Sequence, residues 1–94
     1  MPAVIRFGDP VTCGDRAGNG SSNVFINNRR VIRKGIDRTQ GHCFPPVPFL
    51  KGSPNVFVNN IPVVFQGSPI PKHCCGKKCH SGVAARGSPN VFVN

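Results

Sequence analysis

The hydrophobic and polar positions of this chain follow one pattern that occurs three times. An octad begins with Gly-Ser, has a Val-Phe-Val or Val-Phe-Ile centre and ends on asparagine; it occupies residues 20–27, 52–59 and 87–94. β-Branched and aromatic residues bounded by Gly, Pro and Asn are typical of a short strand that enters a tight turn. The repetition therefore predicts three equivalent structural units.

A second element follows each octad at a fixed distance. Val31 and Val63 each lie four residues after the end of an octad, and each begins the returning strand of a predicted hairpin. If the start of the chain is imagined to follow its end, Val4 takes the same place after the third octad. We therefore predict a single all-β domain over residues 1–94. In it, three β-hairpin repeats form a ring with pseudo-threefold symmetry, and the two termini lie close together.

Side chains alternate between the two faces of each octad. Val56 and Val58 face one side and Phe57 the other, so one face can form a core while the other offers an apolar surface to a partner. The phenylalanines fit either role, since central aromatic residues often belong to a core. The candidate partner-binding residues are Val24, Phe25, Val56, Phe57, Val91 and Phe92.

Composition makes the predicted core small. The 94 residues include 11 Gly and 10 Pro, no Trp or Tyr, and 38% hydrophobic residues, so a metal, disulfides or a partner is expected to stabilise the fold. Residues 1–6 do not resemble a signal peptide, and no apolar run approaches the ~20 residues of a transmembrane helix. We expect synthesis in the cytoplasm. In that reducing compartment five cysteines, an odd number, favour metal ligands and free thiols over a disulfide framework.

The loops between the predicted hairpins hold every histidine and cysteine of the chain. Each unit places one of them nine to eleven residues after the valine that follows its octad. This spacing brings three candidate ligands to the same height along the predicted pseudo-threefold axis. Structural zinc prefers a closed tetrahedron, and His80 or Cys79 can complete it. Other interpretations stay open: surface histidines, small buried cysteines, a generic zinc knuckle in the last loop, or a ligand role for Cys43, Cys74 or Cys75. The preferred ligands are Cys13, His42, His73 and His80.

Charge raises a second class of function. Twelve basic residues against three acidic ones give a formal charge of +9, which favours nucleic-acid binding. The basic residues cluster at 29–38 and 72–78, yet no aromatic residues interleave with them as a base-stacking platform requires. A small basic zinc module that binds nucleic acid is the alternative function, and a small metallohydrolase is a further one. We expect no enzyme, because four protein ligands leave zinc no open position and the acidic residues are only Asp9, Asp15 and Asp37.

Three motifs of the chain occur together in one known family. They are the Gly-Ser-Pro-Asn-Val-Phe-Val-Asn octad at 87–94, the Gly-Asp step that leads to a ligand at 8–13, and the Gly-His-Cys-Phe-Pro-Pro loop at 41–46. With these motifs, nearly the whole chain resembles the PAAR-repeat family, although the name-giving slots read Ala-Val-Ile-Arg, Arg-Val-Ile-Arg and Pro-Val-Val-Phe here. The resemblance implies a small cone of β-strands with a structural zinc near the apex, held by three histidines and one cysteine.

The resemblance also implies a mechanical function. PAAR-repeat proteins cap the blunt end of a homotrimeric β-helical spike, VgrG-like or a phage central spike, in type VI secretion systems and contractile phage tails. For this chain it implies one tip per spike trimer and transient contact with the target membrane. It also implies no specific nucleic acid and no small-molecule substrate. Such a protein is assembled at the tip of the tail or spike and then delivered outward.

Overall fold

The computed structural model describes residues 2–41, 45–75 and 78–93, and this part of the chain forms strands, bridges and turns but no helix. The strands are β1 (Phe25–Ile26), β2 (Arg29–Arg30), β3 (Phe57–Val58), β4 (Ile61–Pro62), β5 (Pro69–Cys75) and β6 (Lys78–Val83). They pair in sequence order as three two-stranded antiparallel sheets. The radius of gyration is 12.3 Å, as expected of a compact chain of this length. The prediction of a small all-β domain is confirmed. Within the described residues, no helix could cross a bilayer.

The first two octads form hairpins with asparagine turns. Phe25 pairs with Arg30 across β1 and β2, and β3 pairs with β4 in the corresponding register. The turn residues 27–28 have φ of 55° and 64°, and 59–60 have 54° and 65°. Two consecutive positive φ angles are typical of the type I′ hairpin turn, which asparagine tolerates better than most residues. The Asn-Asn pairs therefore fix where each strand reverses.

The third octad pairs with the start of the chain. Phe92 forms an antiparallel bridge with Ala3. The Val4 amide donates to the Val91 carbonyl at 3.1 Å, and the corresponding valine-to-valine bond in each of the first two hairpins is also 3.1 Å long. The prediction that the first and last segments pair and bring the termini together is confirmed.

Three corresponding residues join the repeats through a closed cycle of backbone hydrogen bonds. The Ile5 amide donates to the Val64 carbonyl, the Val64 amide to the Ile32 carbonyl, and the Ile32 amide to the Ile5 carbonyl, at 3.0, 3.0 and 3.1 Å. Each residue comes directly after the repeated valine of its unit. Because every bond of the cycle joins two different repeats, the repeats stabilise one another.

Two apolar clusters fill the interior. In the first, octad side chains pack against a set of buried valines: Val4, Val31, Val63 and Val93. The second continues from the hydrogen-bonded cycle into the loops and contains Ile5, Val11, Ala17, Ile32, Phe49, Val64, Ile70 and Ala84. The core is thus assembled from short segments of all three repeats. Each repeat therefore needs its neighbours to bury its apolar side chains.

Buried aspartates tie the returning strands to the loops that follow. Asp37 is 2% exposed and accepts hydrogen bonds from the amide and guanidinium of Arg33 at 2.8 to 3.0 Å, which raises the pKa of Arg33. Asp9 makes the same contacts with Arg6 at 2.7 to 3.0 Å. In the repeat that begins with the second octad, Ser68 follows the corresponding glycine, and its hydroxyl donates to a backbone carbonyl at 2.7 Å. Each of the three loops therefore begins at a buried polar side chain, Asp9, Asp37 or Ser68, which we call its anchor.

The longest hairpin lies where the sequence predicts a loop. Strands β5 and β6 pair from Pro69–Val83 to Cys75–Lys78, with an irregularity between Ile70 and His73. Two prolines and a lysine in β5 disfavour a strand locally. Pairing with β6 outweighs that preference, and the irregularity lies at the second proline.

Candidate partner surface and metal ligands

The phenylalanine at the centre of each octad is exposed to solvent. Phe25, Phe57 and Phe92 are 52%, 55% and 48% exposed. The alternative that they are core residues is therefore wrong, because the alternation of the strand turns flanking octad residues such as Ile26, Val58 and Val93 inward instead. Half of a phenylalanine amounts to roughly 100 Å² of apolar surface. An equal exposed area is thus presented at the same position of all three octads.

The three valines predicted to belong to this surface are each partly buried and partly exposed. Val24 and Val91 are half-buried, and both pack against the valine cluster. Val56 is 38% exposed. The structure therefore places the phenylalanines outward, while each valine exposes a smaller part of its surface.

Hydrogen bonds between serine and asparagine side chains join each of the two asparagine turns to another octad. The Ser88 hydroxyl donates to Asn27 Oδ1 at 2.7 Å. The Ser21 hydroxyl donates to Asn59 Oδ1, also at 2.7 Å. Asn27 Nδ2 in turn donates to Asn90 Oδ1 at 3.0 Å. These bonds cross between repeats, so the spacing of the exposed phenylalanines is fixed by the framework beneath them.

Cys13 is a partly exposed thiol that forms no disulfide. A Cβ added to Gly82 would lie 3.2 Å from the Cys13 Sγ. Nearby, the Thr12 amide donates to the Val83 carbonyl at 2.9 Å. The loop that follows Val4 thus contacts β6 and places Cys13 beside position 82, two residues along that strand from position 80.

His73 is 7% exposed, and its Nδ1 lies 2.9 Å from the Pro71 carbonyl oxygen. In the tautomer that donates from Nδ1 to this oxygen, the Nε2 lone pair is oriented as in many zinc-ligating histidines. The register pairs residue 73 directly with residue 80. A reduced thiol and an oriented, buried imidazole are the donor types of structural zinc, so Cys13 and His73 fit such an ion.

The other two proposed ligands are not described at the level of their side chains. His42 lies outside the described residues, and for His80 only the backbone is described. Among the described residues, no three His, Cys, Asp or Glu form a group that could hold a metal ion. The four-ligand zinc site therefore stays a prediction.

Cys74 and Cys79 form a disulfide, which corrects the expectation that the cysteines serve as metal ligands or free thiols. The reason is register, because the two residues lie directly opposite each other in the ladder of β5 and β6. Side chains at such positions point to the same face and approach closely. Neither the number of cysteines nor the compartment reveals this pairing. While the bond is intact, Cys79 cannot act as the fourth ligand.

A groove of about 270 Å³ between the first hairpin and Phe7 was not foreseen from the sequence. Its lining residues are Phe7, Phe25, Asn28, Arg29 and Arg30. The Phe7 amide donates to the Arg30 carbonyl at 2.8 Å, which places this aromatic ring beside the basic cluster. Arg29 also forms an ion pair at 3.3 Å with Asp9. The linear sequence separates Phe7 from the arginines, and only the ring alignment of the repeats could have suggested the contact.

The comparisons with known proteins give no relative. No family model matches the chain, and no curated protein or solved structure matches it.

Proposed function

We propose that this chain is a tip protein of the PAAR-repeat kind, which caps the blunt end of a homotrimeric β-helical spike in a contractile injection machine. In this proposal the three repeats form a conical domain with pseudo-threefold symmetry. The octads face the spike, and the ligand loops converge on a zinc ion at the apex. The chain sharpens the spike and catalyses no reaction.

The observation that carries the proposal is the cycle of hydrogen bonds among Ile5, Ile32 and Val64. Each repeat donates to one neighbour and accepts from the other, which is the connectivity of a threefold ring. A partner with three identical subunits presents three identical surfaces. One chain can meet all three in the same way only if it carries three equivalent surfaces of its own.

The exposed phenylalanines supply those surfaces. Phe25, Phe57 and Phe92 have nearly equal exposure and the same place in their octads. At about 25 cal/mol per Å², burying the exposed half of one ring contributes on the order of 2 kcal/mol. The blunt end of a β-helix has unpaired strand edges and apolar side chains that such a surface can cover. Repetition of this contact makes it suited to a trimer.

Zinc would crosslink the loops at the end of the domain opposite the octads. The proposed ligands are Cys13, His42, His73 and His80, and Cys13 and His73 already have the required chemical character. When bound by four protein ligands, zinc supplies a rigid crosslink between loops and offers no open position to a substrate. A structural zinc contributes on the order of 10 kcal/mol to the folding of small domains. That contribution suits a tip that must stay folded under load.

The positive charge serves a secondary function in this proposal. The formal charge of +9 attracts the protein to anionic membrane surfaces, and this attraction is transient because it is weak and sensitive to salt. The protein is made in the cytoplasm and joins the phage tail or secretion-system spike before delivery. It takes no small-molecule substrate.

Co-purification with a spike trimer tests the proposal. The bait is a tagged homotrimeric β-helical spike protein of the same organism, and the variant carries Phe25→Ser, Phe57→Ser and Phe92→Ser. We expect the variant to keep its melting temperature, because these rings are half exposed, and to lose the spike. A matched control replaces three equally exposed apolar residues outside the octads: Phe7, Ile36 and Leu50. Loss of binding in the control, or its retention in the octad variant, would contradict the proposed interface.

The groove between the first hairpin and Phe7 favours nucleic-acid binding as a second candidate function. Phe7 and Phe25 can stack on bases while Arg29 and Arg30 contact phosphates. The double change Arg29→Ile, Arg30→Pro copies the corresponding pair of β4 and thus removes the groove's charge with residues that the fold already accepts. If nucleic acid is the partner, affinity for a single-stranded oligonucleotide falls steeply with salt, and this variant loses most of that dependence. The tip proposal predicts only weak binding that both proteins share.

A further inference from the structure

Cys74 and Cys79 are an exposed cysteine pair in the longest hairpin. They lie opposite each other in the β5–β6 ladder, are joined by a disulfide, and are both exposed to solvent. Exposed disulfides react with thiols more readily than buried ones and are often the labile or regulatory bonds of a protein. The position of this bond makes it accessible to small reagents without unfolding of the domain.

The disulfide and the proposed zinc ligand lie on opposite faces of the same hairpin. Successive residues of a strand point to opposite faces, and His73 is buried while its neighbour Cys74 is exposed. The cysteine pair is therefore positioned to crosslink the outer face without joining the inner one. A change in the bond can alter the rigidity of both strands while leaving the buried face intact.

We propose that Cys74 and Cys79 form a reversible redox site whose substrate is a small-molecule disulfide such as glutathione disulfide. The pair is a dithiol in a reducing compartment and closes in an oxidising one. Closure stiffens the hairpin that carries His73 and residue 80. The inference is independent of the spike-tip proposal, since it requires only the register and the exposure of the two cysteines.

The reaction is thiol–disulfide exchange. The thiolate of one cysteine attacks a sulfur of glutathione disulfide, a mixed disulfide forms, and one glutathione leaves as its thiolate. The second cysteine, as its thiolate, then attacks the protein sulfur of the mixed disulfide, and the second glutathione leaves. Two electrons pass from the cysteine pair to glutathione disulfide, and the two cysteine protons end on the two released glutathiones. Excess glutathione reverses both steps.

Closure should restrict opening of the hairpin. The two cysteines are separated by five positions in sequence, and the loop-closure relation for a ring of this size predicts an opening equilibrium that is about thirtyfold smaller in the oxidised form. Amide hydrogen exchange of β5 and β6 reports that opening directly. We therefore expect amides of residues 78–83 to exchange about thirtyfold more slowly after oxidation, and amides of β1 to β4 to change little.

The experiment uses the full-length protein in glutathione buffers that range from reduced to mainly oxidised. At each ratio, free thiols are trapped by alkylation and located by peptide mass spectrometry, and hydrogen exchange is measured on the same sample. The variants are Cys74→Ser and Cys79→Ser, with Cys75→Ser as the matched control, because residue 75 is adjacent but pairs with Lys78. We expect Cys74 and Cys79 to lose and regain alkylation together, the first two variants to lose the exchange response, and the control to keep it.

Four results would overturn the inference. Both thiols could stay alkylatable in the most oxidising buffer, or the bond could resist excess reduced glutathione in the folded protein and so be permanent. The Cys75→Ser variant could lose the response while Cys74→Ser keeps it, which would assign the pair wrongly. Finally, hydrogen exchange of β5 and β6 could be the same in both redox states of the wild-type protein, a comparison that does not depend on any variant folding.

Discussion

Replacing Gly87 by alanine tests whether the third octad closes the ring of repeats. A Cβ at this position would overlap the Val4 carbonyl oxygen and lie 3.1 Å from the Ala3 Cβ. The adjacent Ser88 amide donates to that same carbonyl at 2.8 Å. An added methyl group therefore acts on the point where the end of the chain contacts its beginning.

These contacts determine how much the substitution lowers the free energy of unfolding. The obstacle is a backbone atom, which no side-chain rotation can move away, and overpacking of this kind costs about 1 to 3 kcal/mol. Displacing the carbonyl also weakens a buried hydrogen bond that contributes about 1 kcal/mol. The sum of about 2 to 4 kcal/mol is a large part of the stability of a small domain. It lowers the melting temperature by about 10 to 30 °C for a domain of this size.

The assay is thermal unfolding followed by circular dichroism, with Gly8→Ala as the control. Gly8 has a φ of +86° and nothing within 4 Å of an added Cβ, so alanine there meets backbone strain of about 1 kcal/mol and no clash. We expect Gly87→Ala to lower the melting temperature by at least twice as much as the control. If it lowers the temperature by the same amount or less, the third octad does not pack against the start of the chain.

Three further predictions concern the anchors, the disulfide and the metal. In urea unfolding, Asp37→Ala should destabilise the protein by about 3 kcal/mol, because it leaves Arg33 without its carboxylate. Ser68→Ala at the corresponding anchor should cost about 1 kcal/mol. Equal effects of the two substitutions would contradict the importance of the ion pair. Reduction of the Cys74–Cys79 bond should cost about 2 kcal/mol, and a melting temperature indifferent to reductant would contradict this. Elemental analysis should find about one zinc per chain, and His73→Ala should lower that content while Cys43→Ser leaves it unchanged; a metal-free protein of equal heat stability would remove zinc from the account.

The hairpins of the octads could be predicted from sequence because their signals are local. An Asn-Asn pair after a Val-Phe-Val or Val-Phe-Ile centre specifies a strand and its turn within a few residues. The closure between Phe92 and Ala3 could also be predicted, because the repeat spacing continues from the end of the chain to its beginning. Repetition thus supplied long-range information that a single strand pattern does not contain.

The β5–β6 hairpin and its disulfide could not be predicted in the same way. This segment occurs once, and its prolines and charges resemble a loop. The pairing of Cys74 with Cys79 depends on a register shift between Ile70 and His73, where two residues of β5 lie opposite one residue of β6. The groove beside Phe7 depends in the same manner on a contact between repeats. Local patterns do not determine such contacts, because they arise from how separate segments meet.

Native mass spectrometry of the protein mixed with the homotrimeric spike measures how many copies of each chain the complex contains. A chain with three equivalent octad surfaces should saturate three spike subunits with one copy, so the expected complex contains one tip and three spike chains. Substitution of Phe25, Phe57 and Phe92 should abolish that complex. A complex with three tips on three spike chains would contradict the account, because the octads would then be folding units rather than three matching contacts, and absence of any complex would remove the spike as the partner.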